Sequence, residues 1–228
     1  MLNELIVTGK IREENALKLV IPNFEEIDGL REFDSIVLKK NRLLFQLQQH
    51  HPDTYAHSLN VRKITWSLSN RLGFTNPNSL LAAELHDIGK LVFPQDILSR
   101  GNNHGVFNDY IMKLPHHSFF SARILEYLGF NRTIVEIAKH HSADWHEIKH
   151  DPSLFHGKFS LISIVRLADT IVAMTDFSRQ YQKKPEIIKI MIEIGDKFDQ
   201  ELIQPCLREV YSEYMREQNF PNADKIPL

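Results

Sequence analysis

The chain has 228 residues, which is enough for one large domain with a substantial core. Its formal net charge is -2, and lysine and glutamate are mixed along the chain, so no basic face indicates stable nucleic-acid binding. The single cysteine, Cys206, excludes an internal disulfide framework. Because neither a signal peptide nor a long apolar span is seen, we expect a cytoplasmic protein without a membrane anchor.

Residues 1–50 are predicted to form a small mixed appendage and a lead-in helix. The apolar segments Leu5-Ile6-Val7 and Leu17–Ile21 are typical of strands. From Phe33 to Gln49 the apolar residues approximate a helical period, which predicts a helix that ends at the polar residues 50–52. No function follows from the first thirty residues.

Residues 51–228 are predicted to form one helical domain, because helical patterns follow one another with short breaks. The predicted helices are one that contains His57 and is closed by Gly73, then Leu80–Ile88 with Gly89 as its stop, Pro115–Leu128, Thr133–His141, Phe159–Tyr181, and Pro185 to about Met215. The fold class is therefore all-α, a helical bundle with a small mixed N-terminal appendage.

The segment His86-Asp87-Ile88-Gly89-Lys90 places an imidazole and a carboxylate side by side between two apolar runs. A buried carboxylate requires a counter-charge or a metal ion, and the neighbouring Glu84 carries the wrong sign to pair with Asp87. The partners must therefore come from elsewhere in the fold. The candidates in apolar surroundings are His57, His117, His140, His141 and Asp169.

Helical periodicity places several of these candidates on core-facing stripes. His57 shares a stripe with Val61 and Leu68, and Asp169 shares one with Val165. One such residue alone is more often satisfied by a backbone group. Inward-facing His or Asp residues on four separate helices are better explained by a metal cluster inside a bundle. Nitrogen and oxygen donors without cysteine favour iron, manganese, magnesium or zinc.

The whole constellation resembles the HD superfamily of metal-dependent phosphohydrolases, and its additional histidines resemble the HD-GYP subgroup over about residues 52 to 182. The residues that carry the resemblance are His57, His86, Asp87, His117, His140, His141 and Asp169. The resemblance implies that these residues bind two or three divalent ions, commonly iron or manganese. It also implies that Asp87 lies between the ions as a bridge.

The resemblance further implies a phosphodiesterase, in which a hydroxide that bridges the metal ions attacks the phosphorus. The substrate class is then a nucleotide phosphoester, and cyclic di-GMP is the best-known substrate of the subgroup. Asp87 and Lys90 are the expected catalytic residues. Lys90 and Arg179 are the expected substrate contacts, since Arg179 begins a stretch similar to the Arg-Pro-Tyr-Arg of HD-GYP proteins. A homodimer is compatible with this interpretation.

Asp53 has two interpretations. It precedes His57 by one helical turn, at the position where members with three metal ions have a glutamate ligand. It also follows Pro52, where an aspartate is a good N-cap for the helix that contains His57. The sequence is compatible with both roles, metal ligand and N-cap.

The chain departs from the subgroup after His141, where the Gly-Tyr-Pro element is missing, and at Val172, where a second aspartate is usual. These departures affect the substrate pocket more than the metal ligands. Two alternatives follow. One is a phosphomonoesterase or nucleotidase of the wider superfamily. The other is a non-catalytic regulator that keeps the helical fold and the metals and binds a nucleotide or a protein.

Overall fold

The computed structural model describes residues 18, 24–99, 117–142, 152–157, 159–175 and 200–203 of the chain. The predicted strand-like segments near the N-terminus lie outside these residues, apart from Lys18. Arg179 and most of the helix predicted from Pro185 to about Met215 also lie outside them. The lead-in helix and the other predicted site residues are described.

The described residues form helices with one small antiparallel hairpin, as expected for an all-α fold. The α-helices are α1 (Phe24–Asp28), α2 (Ile36–His50), α3 (Pro52–Arg71), α4 (Pro77–Leu85), α5 (Gln95–Ser99), α6 (His117–Tyr127), α7 (Arg132–His140), α8 (Leu161–Thr175) and α9 (Gln200–Ile203). The 3-10 helices are Gly29–Glu32, Ile88–Val92 and Pro152–Leu154, and the strands are β1 (Phe155–His156) and β2 (Phe159–Ser160). The prediction of the all-α class is confirmed.

Helix α2 begins later than the predicted Phe33. Ser35 has extended backbone angles, and its side-chain oxygen accepts a hydrogen bond from the N–H of Leu38 at 3.4 Å. A serine in this position satisfies a backbone donor that the first turn of a helix leaves without a partner. The capping serine therefore sets the start of the helix, and Phe33 lies before it in an extended conformation.

Helix α3 is capped by His51 and not by Asp53. The His51 Nδ1 atom accepts a hydrogen bond from the N–H of Thr54 at 3.2 Å, and Pro52 occupies the first helical position. Asp53 consequently lies in the first turn with an exposed side chain, so its interpretation as the N-cap is wrong. At the other end, Gly73 has a φ of +81° and follows the last turn, which confirms its predicted role.

Gly89 does not stop a helix, contrary to the prediction. Helix α4 already ends at Leu85, and Gly89 lies within the 3-10 helix Ile88–Val92. A Cβ atom at this position would collide with the backbone oxygen of His117 and the backbone nitrogen of Ser121. Glycine is therefore needed because the 3-10 helix and the start of α6 are in direct backbone contact.

The helix that contains Asp169 begins at Leu161, after the predicted start at Phe159. Phe159 and Ser160 instead pair with β1 in the small hairpin, whose turn contains Gly157 with a φ of +59°. The described part of this helix ends at Thr175, and the remainder of the predicted helix lies outside the described residues. Asp169 therefore lies well inside a regular helix.

Helix α3 lies at the centre of the bundle, where it packs against α8, α4 and α2, while α7 packs against α6 and α4. Leucine and isoleucine side chains between these helices are almost completely buried, among them Leu43, Leu47, Ile64, Leu68, Leu85, Ile124, Leu125, Ile137 and Ile162. Burial of each such side chain contributes about 1.5–3 kcal/mol. None of the helices within the described ranges has the length and apolar character needed to cross a membrane.

Two charged side chains connect the helices around the end of α4. The Glu84 carboxylate lies 3.3 Å from the Lys40 Nζ and 3.1 Å from the Arg62 Nε, so it joins α4 to α2 and α3. The Lys39 Nζ donates a buried hydrogen bond of 2.7 Å to the carbonyl oxygen of Leu128, next to the end of α6. The Glu84 contacts hold the end of α4, directly before His86 and Asp87, while the Lys39 contact joins α2 to the residue after α6.

Candidate metal centre

Five different elements bring a cluster of histidine and aspartate side chains together inside the bundle. Its members are His57 from α3, His86 and Asp87 after α4, His117 at the start of α6, His141 after α7, and Asp169 from α8. His57, His86, Asp87 and His141 are almost completely buried. The structure therefore joins residues that are as far apart as 112 positions in the sequence.

One carboxylate oxygen of Asp87, Oδ2, faces the first part of this cluster. The Nε2 atoms of His86 and His57 lie 3.4 and 3.9 Å from it. The Oδ1 atom of Asp169 is 2.8 Å from the His57 Nε2 and 3.8 Å from the His86 Nε2. We call these four residues the first half-site; it combines two imidazoles and two carboxylates.

The other oxygen of Asp87, Oδ1, faces a second pair of imidazoles. The His117 Nε2 lies 3.1 Å from it and the His141 Nε2 lies 3.9 Å from it. The two imidazole nitrogens are 3.0 Å from each other. Asp87, His117 and His141 form the second half-site, so a single carboxylate belongs to both half-sites.

Backbone carbonyl groups orient two of the imidazoles. The Nδ1 of His86 is 2.8 Å from the carbonyl oxygen of Ala83, and the Nδ1 of His141 is 2.7 Å from that of Ala138. A carbonyl can only accept a hydrogen bond, so each Nδ1 carries the proton and donates it. In the neutral ring the lone pair is then on Nε2, which points into the cluster and is available to a metal ion.

The electrostatics of the cluster keep its carboxylates charged. Burial alone would raise the pKa of Asp87, but the Lys90 ammonium and His86 hold that pKa well below its usual value. The Lys90 Nζ lies 2.6 Å from the Asp87 Oδ2 and donates to it. Desolvation also opposes the charged form of Asp169, and the hydrogen bond and charge of His57 outweigh it, so the pKa of Asp169 is lowered as well.

The pKa values of His86 and His141 are shifted in opposite directions. Burial lowers the pKa of His86, but the nearby carboxylates of Asp87 and Asp169 outweigh this and raise it above its ordinary value. Burial and the charges of His86 and His117 lower the pKa of His141 to about 3. His141 is therefore neutral near pH 7 and presents a lone pair, whereas His86 holds a proton more tightly.

The cluster contains groups of donors that could hold a divalent metal ion. Three overlapping groups place one donor atom of each residue within 4.8 Å of the others, and they are His57 with His86 and Asp87, His86 with His141 and Asp169, and Asp87 with His117 and His141. The buried Nε2 of His86 has no hydrogen-bond partner among the described residues, although it faces two carboxylate oxygens. An ion bound between them would satisfy this nitrogen.

The structure does not bring His140 or Asp53 to this cluster. The His140 Nε2 lies 3.4 Å from a carboxylate oxygen of Glu136, one turn earlier on α7, and its side chain is 36% exposed. Asp53 is exposed at the start of α3. Neither residue belongs to a group that could hold a metal ion within the described ranges. Their roles as ligands stay predictions, as does substrate binding by Arg179, which lies outside the described residues.

Sequence reasoning missed Ser121. Its side-chain oxygen accepts a hydrogen bond of 2.8 Å from the backbone N–H of Gly89, across 32 residues of sequence. The side chain is completely buried in α6. No local pattern marks this contact, because it depends on the tertiary approach of the 3-10 helix to α6.

Metal affinity is expected to fall as the pH falls through the raised pKa of His86. A metal ion at the first half-site needs the Nε2 lone pair, so below that pKa it must displace one proton, and the apparent Kd should rise about tenfold per pH unit. Above that pKa the affinity should level off. Because the pKa of His141 is about 3, this residue should not contribute between about pH 5 and 8.

Calorimetric titration of Mn²⁺ in buffers with different ionisation enthalpies measures this proton release directly. We expect the number of protons released per ion to increase as the pH is lowered across that range. An affinity independent of pH, with no proton released, would contradict the assignment of His86.

The chain matches one protein-family profile, and its fold is similar to that of solved structures. Residues 54–200 match the profile of the HD domain family, and this range includes all members of the cluster. No curated protein is similar enough to match. Among solved structures, the HD domain of the L. monocytogenes phosphodiesterase PgpH is similar, with a TM-score of 0.55 and 17% sequence identity over 78% of this chain and 97% of that chain.

The same PgpH domain in complex with cyclic di-AMP is also similar, with a TM-score of 0.53 and 17% identity over 78% of this chain and 96% of that chain. At this identity the likeness shows that the folds are shared. The family match, by contrast, extends over more than half of the chain.

Proposed function

The chain belongs to the HD domain family, and on that premise we propose that it is a metal-dependent phosphodiesterase that acts on a cyclic dinucleotide. The observation that carries this proposal is the position of Asp87. Its two oxygens face two separate sets of imidazoles, at 3.4 Å from the His86 Nε2 on one side and 3.1 Å from the His117 Nε2 on the other. This arrangement suits two ions that share one carboxylate.

Bound divalent ions would lower the pKa of a water molecule and neutralise the charge of a phosphoryl group. His57, His86 and Asp169 would hold one ion, and His117 and His141 the other, with Asp87 between the two. Iron and manganese suit this set of nitrogen and oxygen donors without sulfur. We propose no third ion from the described residues, since Asp53 lies apart from the cluster.

Lys90 is proposed to orient the phosphate group. Its ammonium lies at the edge of the cluster with 20% of the side chain exposed, and it is the cation nearest to Asp87 in the described part of the chain. A cation in this position can donate to a non-bridging phosphate oxygen while the carboxylates hold metal ions. Lys90 would therefore bind the substrate and stabilise the charge that develops during hydrolysis.

Two cyclic dinucleotides are the substrate candidates. The similar PgpH domain has been solved in complex with cyclic di-AMP, which supports a cyclic dinucleotide of this kind. The sequence resemblance to HD-GYP proteins suggests cyclic di-GMP, but the Gly-Tyr-Pro element of that subgroup is missing after His141. We therefore propose cyclic di-AMP as the first substrate to test and cyclic di-GMP as the second.

The experiment is a hydrolysis assay of the full chain loaded with Mn²⁺ or Fe²⁺. The substrates are cyclic di-AMP, cyclic di-GMP, bis-p-nitrophenyl phosphate as a generic diester, and p-nitrophenyl phosphate as a monoester. Hydrolysis of the diesters, with the fastest turnover on a cyclic dinucleotide, would support the proposal. Hydrolysis of the monoester alone would indicate a nucleotidase instead, and nucleotide binding without hydrolysis by metal-loaded protein would indicate a regulator.

A further inference from the structure

We propose that Ser121 is a positioning residue that holds the second half-site in the geometry needed for its ion. This inference rests on the proposed function, since it concerns the same pair of ions. Ser121 is not itself a ligand. It would act through Gly89, whose N–H its side-chain oxygen accepts at 2.8 Å.

The contact joins the two segments that form the second half-site. Gly89 lies two residues after Asp87 in the 3-10 helix, and Ser121 lies one turn after His117 in α6. Both Gly89 and Ser121 are buried, so the hydrogen bond between them is shielded from water. It therefore fixes the distance between the segment that carries Asp87 and the helix that carries His117.

The close backbone contact at Gly89 restricts the distance between the two segments together with this hydrogen bond. Gly89 approaches the backbone oxygen of His117 and the backbone nitrogen of Ser121 so closely that no Cβ atom fits. Packing thus limits approach, and the hydrogen bond limits separation. Loss of the acceptor would leave a buried N–H without a partner, at a cost of about 1–3 kcal/mol, unless the two segments move apart.

Such a movement would affect the two half-sites unequally. The first half-site takes His57 from α3, Asp169 from α8 and His86 from the residues directly after α4, and it shares Asp87 with the second half-site, whereas His117 belongs to the second half-site alone. The second half-site depends on the 3.1 Å approach of His117 to the Asp87 Oδ1, across the interface that Ser121 joins. Removal of the hydroxyl should therefore weaken the second ion selectively.

The experiment titrates Mn²⁺ into metal-free full-length protein and compares wild type with Ser121→Ala. Equilibrium dialysis gives the number of ions and their Kd values, and electron paramagnetic resonance distinguishes a coupled pair from a single ion. We expect the second ion of Ser121→Ala to bind about 10- to 100-fold more weakly, as for other residues that orient a metal ligand. The first ion should bind with unchanged affinity.

Ser69→Ala is the matched control, because Ser69 is also completely buried but its hydroxyl has no hydrogen-bond partner within the described ranges. It should bind two ions like wild type. Should Ser121→Ala fail to fold, Ser121→Cys keeps a side chain in place while weakening the acceptor, and the second ion should again be the one affected.

The number of ions bound by wild type distinguishes a failure of the role proposed for Ser121 from a failure of the proposed two-ion site. If wild type binds two ions and Ser121→Ala binds both with the same affinity, Ser121 has only a structural role and the inference is wrong, even if the melting temperature falls. If wild type itself binds fewer than two ions, the proposed function is overturned together with the inference.

Discussion

Replacement of Asp87 by asparagine is expected to abolish hydrolysis and to remove both metal ions. The Asp87→Asn side chain keeps the shape of the carboxylate but has no negative charge, and it replaces one oxygen by an NH2 group, which cannot bind a cation. Because each oxygen of Asp87 faces one half-site, both ions should be lost together. We expect kcat to fall by about 10³-fold or more, since metal ions and the charges around them supply most of the catalysis in such a site.

Metal analysis of the purified variant and an assay at saturating substrate measure the two effects separately. Asp34→Asn is the matched control, because Asp34 is exposed in the segment before α2, and this variant should keep both ions and full activity. An Asp87→Asn protein that retained both tightly bound ions would show that the carboxylate is not shared. Full activity of that variant would remove Asp87 from the mechanism.

Replacement of Gly89 by alanine should be the most damaging small change to the fold around the site. The added Cβ would meet the backbone of His117 and Ser121, and backbone atoms in a helix cannot rotate away as a side chain does. We expect the free energy of unfolding to fall by about 1–3 kcal/mol, as for other overpacked positions. Since His117 begins α6, displacement of this helix should also lower the affinity for the second ion.

Gly29→Ala is the control for this prediction. Gly29 begins the first 3-10 helix and has no atom within 4 Å of the position that a Cβ would occupy. Its replacement should change the free energy of unfolding by no more than about 0.5 kcal/mol. Chemical denaturation of both variants provides the comparison. Equal stability of Gly89→Ala and wild type would contradict the close backbone contact.

Helical periodicity in the sequence predicted the cluster of histidine and aspartate side chains because its members occupy positions where core residues are expected. His57 and Asp169 occur at positions where an apolar residue is expected, so periodicity alone placed them toward the centre of the bundle. The helices that carry them are now seen to pack against each other. His86 and Asp87 were recognised because they interrupt a long apolar segment, and the structure places them at the centre of the cluster.

The sequence was less informative about adjacent residues and about contacts between distant segments. His140 and His141 were predicted as a pair, but neighbours on a helix point about 100° apart, so one can face the core while the other faces Glu136. The apolar period predicts that α2 starts at Phe33, but Ser35 caps the helix two residues later. The sequence predicts a helix stop at Gly89, since no local pattern reveals that α6 packs on this residue.

Anomalous diffraction from crystals of the Mn²⁺-loaded protein would show whether two metal ions share Asp87. We expect two anomalous peaks about 3.5–4 Å apart, the separation usual for paired catalytic metals, with one oxygen of Asp87 directed at each. His57, His86 and Asp169 should surround one peak, and His117 and His141 the other. A single peak, or two peaks of which only one contacts Asp87, would show that the carboxylate is not shared.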